Sequence, residues 1–365
     1  ILLFIFSGYL TRPLEQIVDA IRTIITTNDL STKVTLQYKD ETGKLGHYFN
    51  IMTSELDKAN NQMKKYALQA VIAKRKESKI RNIFQKYVPK NVVDRFYSDP
   101  ESMLVGENRV LAILFSDIRS FTTISEGLPP DELVESLNKY FEMMVDVITS
   151  HHGIVDKYIG DAIMAFFGAP VHSDDDALQS LYAGLDMIEK LKEFNLWQAK
   201  HGREKFHAGI GINYGVVTIG NIGSEKKMDY TVIGDMVNLA SRMEGLTKLY
   251  RESLLISESM YRKVSTVVPC RMVDHVIVKG KTKSVKIYSA SRKLIGPMKE
   301  AWDTHEKGVE YYYKREFNTA LDFFQKTKTL LPDDHCSALF IGRCEKYIKN
   351  PPPPEWSGDT VLNRK

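Results

Sequence analysis

Apolar residues recur along the first quarter of the chain at the spacing of helices. Pro13 suits the first position of a helix, where its missing N–H costs no hydrogen bond, and a narrow apolar seam follows it. A second seam begins after residues 40–43 and keeps a period near 3.5 for more than five heptads. It therefore predicts a left-handed coiled coil, most simply a parallel homodimer. The alternative is a long surface helix on a globular core, which would show a wider stripe. The seams are Leu14, Ile17, Ile21 and Ile24, then Leu45, Phe49, Met52, Leu56, Ala59, Met63, Tyr66, Ala70, Ala73, Glu77, Ile80 and Phe84.

The chain begins with an apolar segment, residues 1–10. This is about half of the roughly 20 residues that a helix needs to cross a bilayer. We interpret it as the end of a transmembrane helix, and the alternative is a short buried apolar segment. The first interpretation predicts a protein of the cell (inner) membrane in which everything after Thr11 lies on the cytoplasmic side, and to which an upstream sensor domain could be joined.

A predicted strand and a predicted hairpin bring two aspartates to one sheet edge. Residues 109–115 form a continuous apolar run of strand length, and Asp117 follows it. In residues 153–168, apolar positions alternate on both sides of Gly160 and Asp161, which is typical of a β-hairpin with these two residues at its turn. Two carboxylates and a substrate phosphate are ligands that Mg²⁺ prefers. Taken singly, each aspartate also suits a purely structural part, as a helix cap or a turn residue.

The remaining patterned segments predict one turn, several helices and a strap. Residues 121–125 are predicted as a short polar turn, and residues 131–148 as an amphipathic helix. Residues 301–332 predict two helices, with residues 335–348 as a third. The proline-rich end, residues 351–365, predicts an extended strap over the surface.

Composition and charge narrow the class of protein. The 365 residues suffice for two or three domains, and three cysteines argue for a reducing compartment rather than a disulfide-bonded fold. A net charge of +4 argues against a nucleic-acid partner. Residues 64–90 hold nine basic residues and one acid. This run is interpreted as the solvated outside of the coil, with contact to acidic lipids as the alternative.

Two stretches of the chain resemble known families. Residues 11–58, with Pro13 and the Asp-Glu-x-Gly segment at 40–43, resemble a HAMP domain, a module that passes a conformational change from a membrane sensor to a cytoplasmic output. Downstream, five ordered segments resemble the class III nucleotidyl cyclase catalytic domain: FSDIRSFT, DKYIGDAIMAFFG, GINYGVVTIGNIG, YTVIGDMVNLASRME and VKGK. These resemblances imply an α+β fold, a ferredoxin-like palm preceded by a HAMP and parallel coiled-coil stalk. Residues 301–332 resemble one tetratricopeptide (TPR) repeat, which implies a small TPR-like helical tail; the matching residues are Gly308, Tyr311, Tyr312, Ala320, Phe323, Phe324 and Pro332.

The cyclase resemblance implies a two-metal centre. Asp117 and Asp161 match the metal-binding aspartates of the family, and Ile118 would add its backbone carbonyl. The cofactors expected are two Mg²⁺ or Mn²⁺ ions per active site.

The resemblance also implies contacts to the triphosphate. The turn after Asp117, through Phe121 and Thr122, matches the segment whose N–H groups hold the phosphates, and Lys279 matches a lysine on the outer phosphates. Ser120 departs from the family, which commonly has glycine there, and its Cβ adds bulk where the backbone would approach the phosphates.

Four further positions match residues that read the nucleoside and stabilise the transition state. Asn238 would orient the ribose, and Arg242 would stabilise charge on the α-phosphate. Lys157 and Thr231 match the two purine-selecting positions. A lysine donor at ring nitrogen N1 favours adenine, whereas the Thr231 hydroxyl can both donate and accept and so decides less.

The predicted organisation is a chain of modules. It comprises 1–10, the end of a transmembrane helix; 11–58, HAMP; 59–85, a coiled-coil signalling helix; 86–105, a transducer or hinge; 106–292, the cyclase catalytic domain; 297–350, a TPR-like segment; and 351–365, an extended tail. A single TPR-like repeat cannot bury its own apolar face. It is expected to pack within its own chain, on the candidate third helix at 335–348 or on the catalytic domain, and docking to a partner is the alternative.

Together these observations predict an adenylate cyclase that converts ATP to 3′,5′-cyclic AMP and pyrophosphate. Since the family places the metal aspartates and the purine-selecting residues on opposite protomers, a homodimer with two sites at its interface is expected. The alternatives are a guanylate cyclase and a non-catalytic nucleotide-binding homologue. A diguanylate cyclase is excluded because its Gly-Gly-Asp/Glu-Glu-Phe signature is missing from the sequence.

Overall fold

The computed structural model describes residues 2–35, 40–84, 106–224, 226–278 and 284–361. The chain divides into two compact units, Ile1–Val93 and Asp94–Lys365. The predicted transducer segment, residues 86–105, and Lys279 lie outside the described residues.

In the first unit, helix α1 (Leu2–Thr27) continues through Pro13. The prediction that Pro13 begins a helix was therefore wrong. A proline costs an interior helix one hydrogen bond, and apolar helix-compatible residues on its N-terminal side extend α1 across it. In the described ranges, no helix combines the length and the apolar character that a membrane crossing requires.

A small core holds the first unit together. It consists of Ile17, Ala20, Val34 and Phe49, with Ile24 packed against them. Asn50 fastens the connector, since its Oδ1 accepts from the Val34 N–H at 2.9 Å and its Nδ2 donates to the Val34 carbonyl at 2.7 Å. The predicted first seam is confirmed only in part, because Leu14 and Ile21 are exposed.

Helix α2 (Glu41–Phe84) is continuous over 44 residues, as the second seam predicted. The Asp40 Oδ1 accepts from the N–H groups of Thr42 and Gly43, both at 3.1 Å, and this caps the helix start. Most of the seam is exposed in the single chain, for example at Met52 and Met63. The homodimeric coiled coil stays a prediction.

The described part of the second unit contains nine strands in one sheet, in the order β2-β3-β1-β4-β6-β8-β7-β9, with β5 paired to β4. Pairs β4–β6 and β7–β9 are parallel, and the other pairs are antiparallel. The strands are β1 (Glu107–Ile118), β2 (Ile154–Ile159), β3 (Ala162–Phe167), β4 (Ala208–Ser224), β5 (Lys227–Ile233), β6 (Leu254–Ser257), β7 (Cys270–Ile277), β8 (Val285–Ala290) and β9 (Thr360–Val361). The helices are α3 (Phe121–Gly127), α4 (Pro130–Ser150), α5 (Asp176–Lys200), α6 (Asp235–Tyr250), α7 (Glu258–Val264), α8 (Met298–Tyr313), α9 (Phe317–Leu330) and α10 (His335–Lys349).

Helices cover both faces of the centre of the sheet. On β4, Ile210 and Ile212 lie in the core beside α5, whereas Gly211 between them faces α6. Successive side chains of a strand point to opposite faces, so α5 and α6 lie on opposite sides. A Cβ at Gly211 would lie 2.3 Å from the Glu244 nitrogen, which shows how closely α6 approaches the β4 backbone.

Residues 121–125 belong to a helix rather than to the predicted polar turn. Helix α3 covers Phe121–Gly127, and Ile124 on it is buried in the core. A single apolar residue among polar ones gave too weak a pattern to predict a helix this short. The predicted hairpin and the predicted helix at 131–148 are confirmed by β2–β3 and α4.

The three C-terminal helices pack on the same chain, as expected. Buried Asp274 of β7 accepts hydrogen bonds from Tyr250 at 2.6 Å and Tyr313 at 3.1 Å, and it pairs with Arg343 at 2.8 Å. Thr360 of the tail donates to the same carboxylate at 3.0 Å. Asp274 therefore joins the sheet to α6, α8, α10 and the tail.

The tail is the extended strap that its composition predicted. Arg315 donates to backbone carbonyls of prolines 352–354, and Trp356 packs edge-on against Tyr312 and Phe317. Strand β9 then adds to the sheet beside β7.

We expect Gly211→Ala and Gly245→Ala to change stability in opposite directions. The first adds a methyl group against the α6 backbone and should lower the free energy of unfolding by about 1–3 kcal/mol or more. Gly245 is exposed on α6 with open space at its Cβ position, so alanine there should raise the free energy of unfolding by about 1 kcal/mol. Urea denaturation measures both, and a neutral Gly211→Ala would contradict the close helix–strand packing.

Candidate active site

Strand pairing brings the two predicted metal-binding aspartates together. Ser116 of β1 pairs with Ile163 of β3, so the end of β1 lies beside the β2–β3 turn that carries Asp161. The Ile118 N–H donates to Asp117 Oδ1 at 3.0 Å and to Asp161 Oδ2 at 3.3 Å. The two carboxylates therefore share one backbone donor.

The charges at this edge repel one another. The pKa of Asp117 is raised to about 7, chiefly by burial and then by the hydrogen bond and the charge of Asp161. Glu244 of α6 belongs to the same cluster, since burial and the charges of Asp117 and Asp161 raise its pKa to about 7, against the opposing effect of Arg119. Such a cluster of acids is suited to a cation.

Arg119 links the turn that follows Asp117 to α6. Its guanidinium donates to the backbone carbonyls of Thr247 at 3.2 Å and Glu252 at 2.5 Å. Arg119 and Glu244 were not predicted from the sequence. Their only signal was position, directly after Asp117-Ile118 and two residues after Arg242.

The predicted phosphate turn has a constrained backbone. Ser120 adopts φ +58°, in the left-handed region that favours glycine, and it precedes Phe121 and Thr122 in the first turn of α3. This explains physically why a glycine would suit position 120, and it shows that serine is accommodated. The first N–H groups of a helix have no intrahelical acceptor, so those of Phe121 and Thr122 suit an anion.

Helix α6 carries the predicted ribose and transition-state residues. Asn238 is exposed and Arg242, four residues on, is half-buried. Among the described residues, the buried Nη1 of Arg242 has no hydrogen-bond partner. A buried guanidinium nitrogen left without a partner is costly, so an acceptor from outside the described chain is expected there.

The two predicted purine-selecting residues also come together. Lys157 lies on β2 and Thr231 on β5, and both contact Asp156. The Thr231 hydroxyl donates to Asp156 Oδ2 at 2.5 Å, and Lys157 Nζ lies 3.5 Å from Asp156 Oδ1. Asp156 was not singled out from the sequence, where its only signal was an acid directly before Lys157.

Comparison with known proteins decides the family. A family model described as the adenylate and guanylate cyclase catalytic domain matches residues 105–291, and a HAMP domain model matches residues 5–58. The chain belongs to the adenylate and guanylate cyclase family. The resemblance stated from the sequence motifs is confirmed, and so is the fold class.

Individual cyclases support this assignment. An adenylate cyclase of Anabaena cylindrica is 36% identical over 68% of this chain and 48% of its own length. A terminal-differentiation-specific adenylate cyclase of Dictyostelium discoideum is 31% identical over 74% of this chain and 13% of its own length. The chain thus spans half or less of these curated relatives. The crystal structure of the adenylyl cyclase CyaB from P. aeruginosa is 36% identical, with a TM-score of 0.50, over 53% of this chain and 100% of that one.

The side chains at the cyclase site fit a divalent cation that is shared with substrate. Within the described ranges, no three His, Cys, Asp or Glu side chains form a metal-binding group by themselves. Asp117 and Asp161 offer hard oxygen ligands under mutual repulsion, and Mg²⁺ commonly takes one or two carboxylates plus substrate phosphates and water.

We expect Asp117→Asn to stabilise the metal-free cyclase at pH 8. The pKa of the Asp117 carboxyl is raised from 3.8 to about 7 in the folded state, so the carboxyl ionises at a lower pH in the unfolded chain than in the folded one. The free energy of unfolding therefore falls as pH rises through that window. Asparagine cannot ionise, so its advantage should vanish near pH 4. Thermal unfolding with chelator measures this, and Asp146→Asn, an exposed acid of α4, is the control.

Addition of Mg²⁺ or Mn²⁺ at pH 8 should then raise the unfolding temperature of the unmodified chain more than that of Asp117→Asn. An Asp117→Asn variant that is destabilised at pH 8 without metal, or that gains as much from the metal, would contradict the two-carboxylate site.

Proposed function

We propose that this chain is an adenylate cyclase, converting ATP to 3′,5′-cyclic AMP and pyrophosphate. The observation that carries the proposal is the pair Asp117 and Asp161 at one sheet edge, sharing the Ile118 N–H, in a chain that also presents Asn238 and Arg242 on one helix. Family membership covers adenylate and guanylate cyclases alike. The choice of ATP is supported by the donor Lys157 beside Thr231.

In the proposed reaction, the ribose 3′-oxygen attacks the α-phosphorus in line. A new O–P bond forms, the bond to the pyrophosphate oxygen breaks, and the hydroxyl proton is released. Two Mg²⁺ or Mn²⁺ ions held by Asp117, Asp161 and the Ile118 carbonyl would supply charge neutralisation and a more acidic attacking oxygen.

The other predicted residues would position the substrate. Asn238 orients the ribose, and the unpartnered Arg242 nitrogen donates to the charge that develops on the α-phosphate. The N–H groups of Phe121 and Thr122 and the side chain of Lys279 hold the triphosphate. Lys157 donates to adenine N1.

We further propose a homodimer with two sites at its interface. The carboxylates of one protomer would face Lys157, Thr231, Asn238 and Arg242 of its partner. The exposed seam of α2 supports a parallel pairing of the stalks. The HAMP domain would relay a signal from a sensor at the cell membrane, and this localisation stays a prediction.

The purified full chain should make cyclic AMP from ATP with Mg²⁺ or Mn²⁺, and with a higher kcat/KM than for GTP. Chromatography quantifies both cyclic products, and Asp117→Asn is the inactive control. Preferential cyclic GMP formation would instead identify a guanylate cyclase. Tight nucleotide binding without cyclic product would identify a non-catalytic homologue.

Mixing two inactive variants should restore activity if the site is shared. Arg242→Ala should lower kcat by about 10²–10³-fold, and Asp117→Asn should abolish turnover. After subunit exchange, an equal mixture contains one intact site per heterodimer and should reach about a quarter of the unmodified rate.

The matched control mixes Asp117→Asn with Asp161→Asn, which damages the same half of both sites and should restore nothing. Differently tagged subunits establish that heterodimers have formed. Heterodimers of Asp117→Asn and Arg242→Ala without recovered activity would show that each protomer holds a complete site.

A further inference from the structure

A β-bulge at the predicted purine site changes where one side chain lies. In the β2–β3 ladder, Val155 pairs with Ala165 and Lys157 pairs with Met164, so Asp156 is the extra residue. Neighbouring side chains of a regular strand point to opposite faces, whereas a bulge redirects them. Here the Asp156 carboxylate and the Lys157 ammonium lie on the same side, 3.5 Å apart.

Three donors converge on the Asp156 carboxylate. They are the Thr231 hydroxyl at 2.5 Å, the Lys157 ammonium, and the backbone N–H of Val232. The Asp156 side chain is only 1% exposed, so water does not compete for it. Burial raises the pKa of Asp156, and these three donors oppose that rise. The surroundings of the carboxylate thus consist of donors, and an ionised carboxylate only accepts.

This arrangement removes the ambiguity of a threonine hydroxyl. A hydroxyl has one hydrogen to donate and two lone pairs that accept. Because the Thr231 hydrogen goes to Asp156, only lone pairs remain for a substrate. Adenine carries a 6-amino group, which donates, whereas guanine carries a 6-carbonyl, which accepts. An accepting Thr231 therefore matches adenine and faces the guanine carbonyl without a hydrogen between the two oxygens.

We propose that Asp156 is a positioning residue for purine selection, which holds the Thr231 hydroxyl as an acceptor toward the 6-amino group of adenine. This inference rests on the proposed adenylate cyclase function. Asp156 acts through Thr231 and does not contact the base. An alternative role, in which Asp156 only fastens β5 to β2, would change total activity or stability and leave the preference between nucleotides unaltered.

The test measures kcat/KM for ATP and for GTP on the purified full chain. In Asp156→Asn, the new side-chain amide can donate to the Thr231 oxygen. The Thr231 hydroxyl hydrogen is then free to bond to the 6-carbonyl of guanine. The ratio of ATP to GTP specificity should fall by about tenfold or more, through a gain on GTP as well as a loss on ATP. Asp146→Asn is the matched control and should keep the ratio within about twofold.

A double-mutant cycle separates positioning from general structure. Thr231→Val removes the hydroxyl and should lower the ratio as Asp156→Asn does, whereas Thr231→Ser should retain it. In the Thr231→Val background, Asp156→Asn should change the ratio no further. An unchanged ratio in an active Asp156→Asn variant, or an additional change in the valine background, would overturn the inference.

Two other outcomes also decide whether the inference holds. If Asp156→Asn is inactive with both nucleotides, Thr231→Val with an unaltered ratio overturns the inference, and a lowered ratio that Thr231→Ser restores supports it. If the unmodified chain forms no cyclic product, the proposed function fails. The dissociation constants of fluorescent N-methylanthraniloyl ATP and GTP then replace the kinetic ratio, with the same expected order among the variants.

Discussion

The antiparallel pairing of β1 with both β3 and β4 is the constraint on which the rest of the catalytic unit depends. Residues 111–116 of β1 are buried on both faces of the sheet, so a slip by one residue would send every side chain to the opposite face and draw a polar end of the strand into the core. That register places Asp117 at the end of the strand and Asp161 in the adjoining turn. It also sets β4 beside β1, and thereby the surface on which α6 packs.

Close packing of α6 brings acidic side chains together, which lowers the stability of the chain but suits the proposed chemistry. Because α6 lies against the backbone at Gly211, Glu244 comes near the two aspartates, and burial together with their charges raises its pKa to about 7. Burial and the neighbouring Asp161 raise the pKa of Asp117 to about 7 as well. Arg119 offsets part of this repulsion and holds the end of α6. A cluster of partly buried acids lowers the stability of the metal-free chain and would favour the proposed cation, a common compromise where function and stability compete.

The C-terminal helices are part of the same hydrophobic core rather than an appended module. Arg271 of β7 pairs with Glu252 and with Asp334, each at 2.6 Å, and buried His305 bonds to the Met272 carbonyl at 2.9 Å. Breaking such a buried pair leaves an uncompensated charge, so the helices and the sheet stabilise one another. The Asp274 network carries this connection on to the strap, whose strand lies beside β7.

The sequence alone determined the elements with long patterns and the residues in ordered motifs: the long α2 helix, the β2–β3 hairpin, the paired aspartates and the family. Local patterns gave wrong predictions where they were short or ambiguous, at α3 and at Pro13. There, one buried residue or one proline influenced the local structure less than the packing around it did. The metal-binding and purine-selecting roles remain predictions, since strand pairing shows which side chains meet but not what they bind.

Only the tertiary structure revealed Asp156, Glu244 and Arg119 as neighbours of the predicted site residues. A β-bulge redirects Asp156, whose partner Thr231 lies 75 positions away in the chain, and the contact of α6 with β4 brings Glu244 near the aspartates. No local spacing reports such long-range contacts.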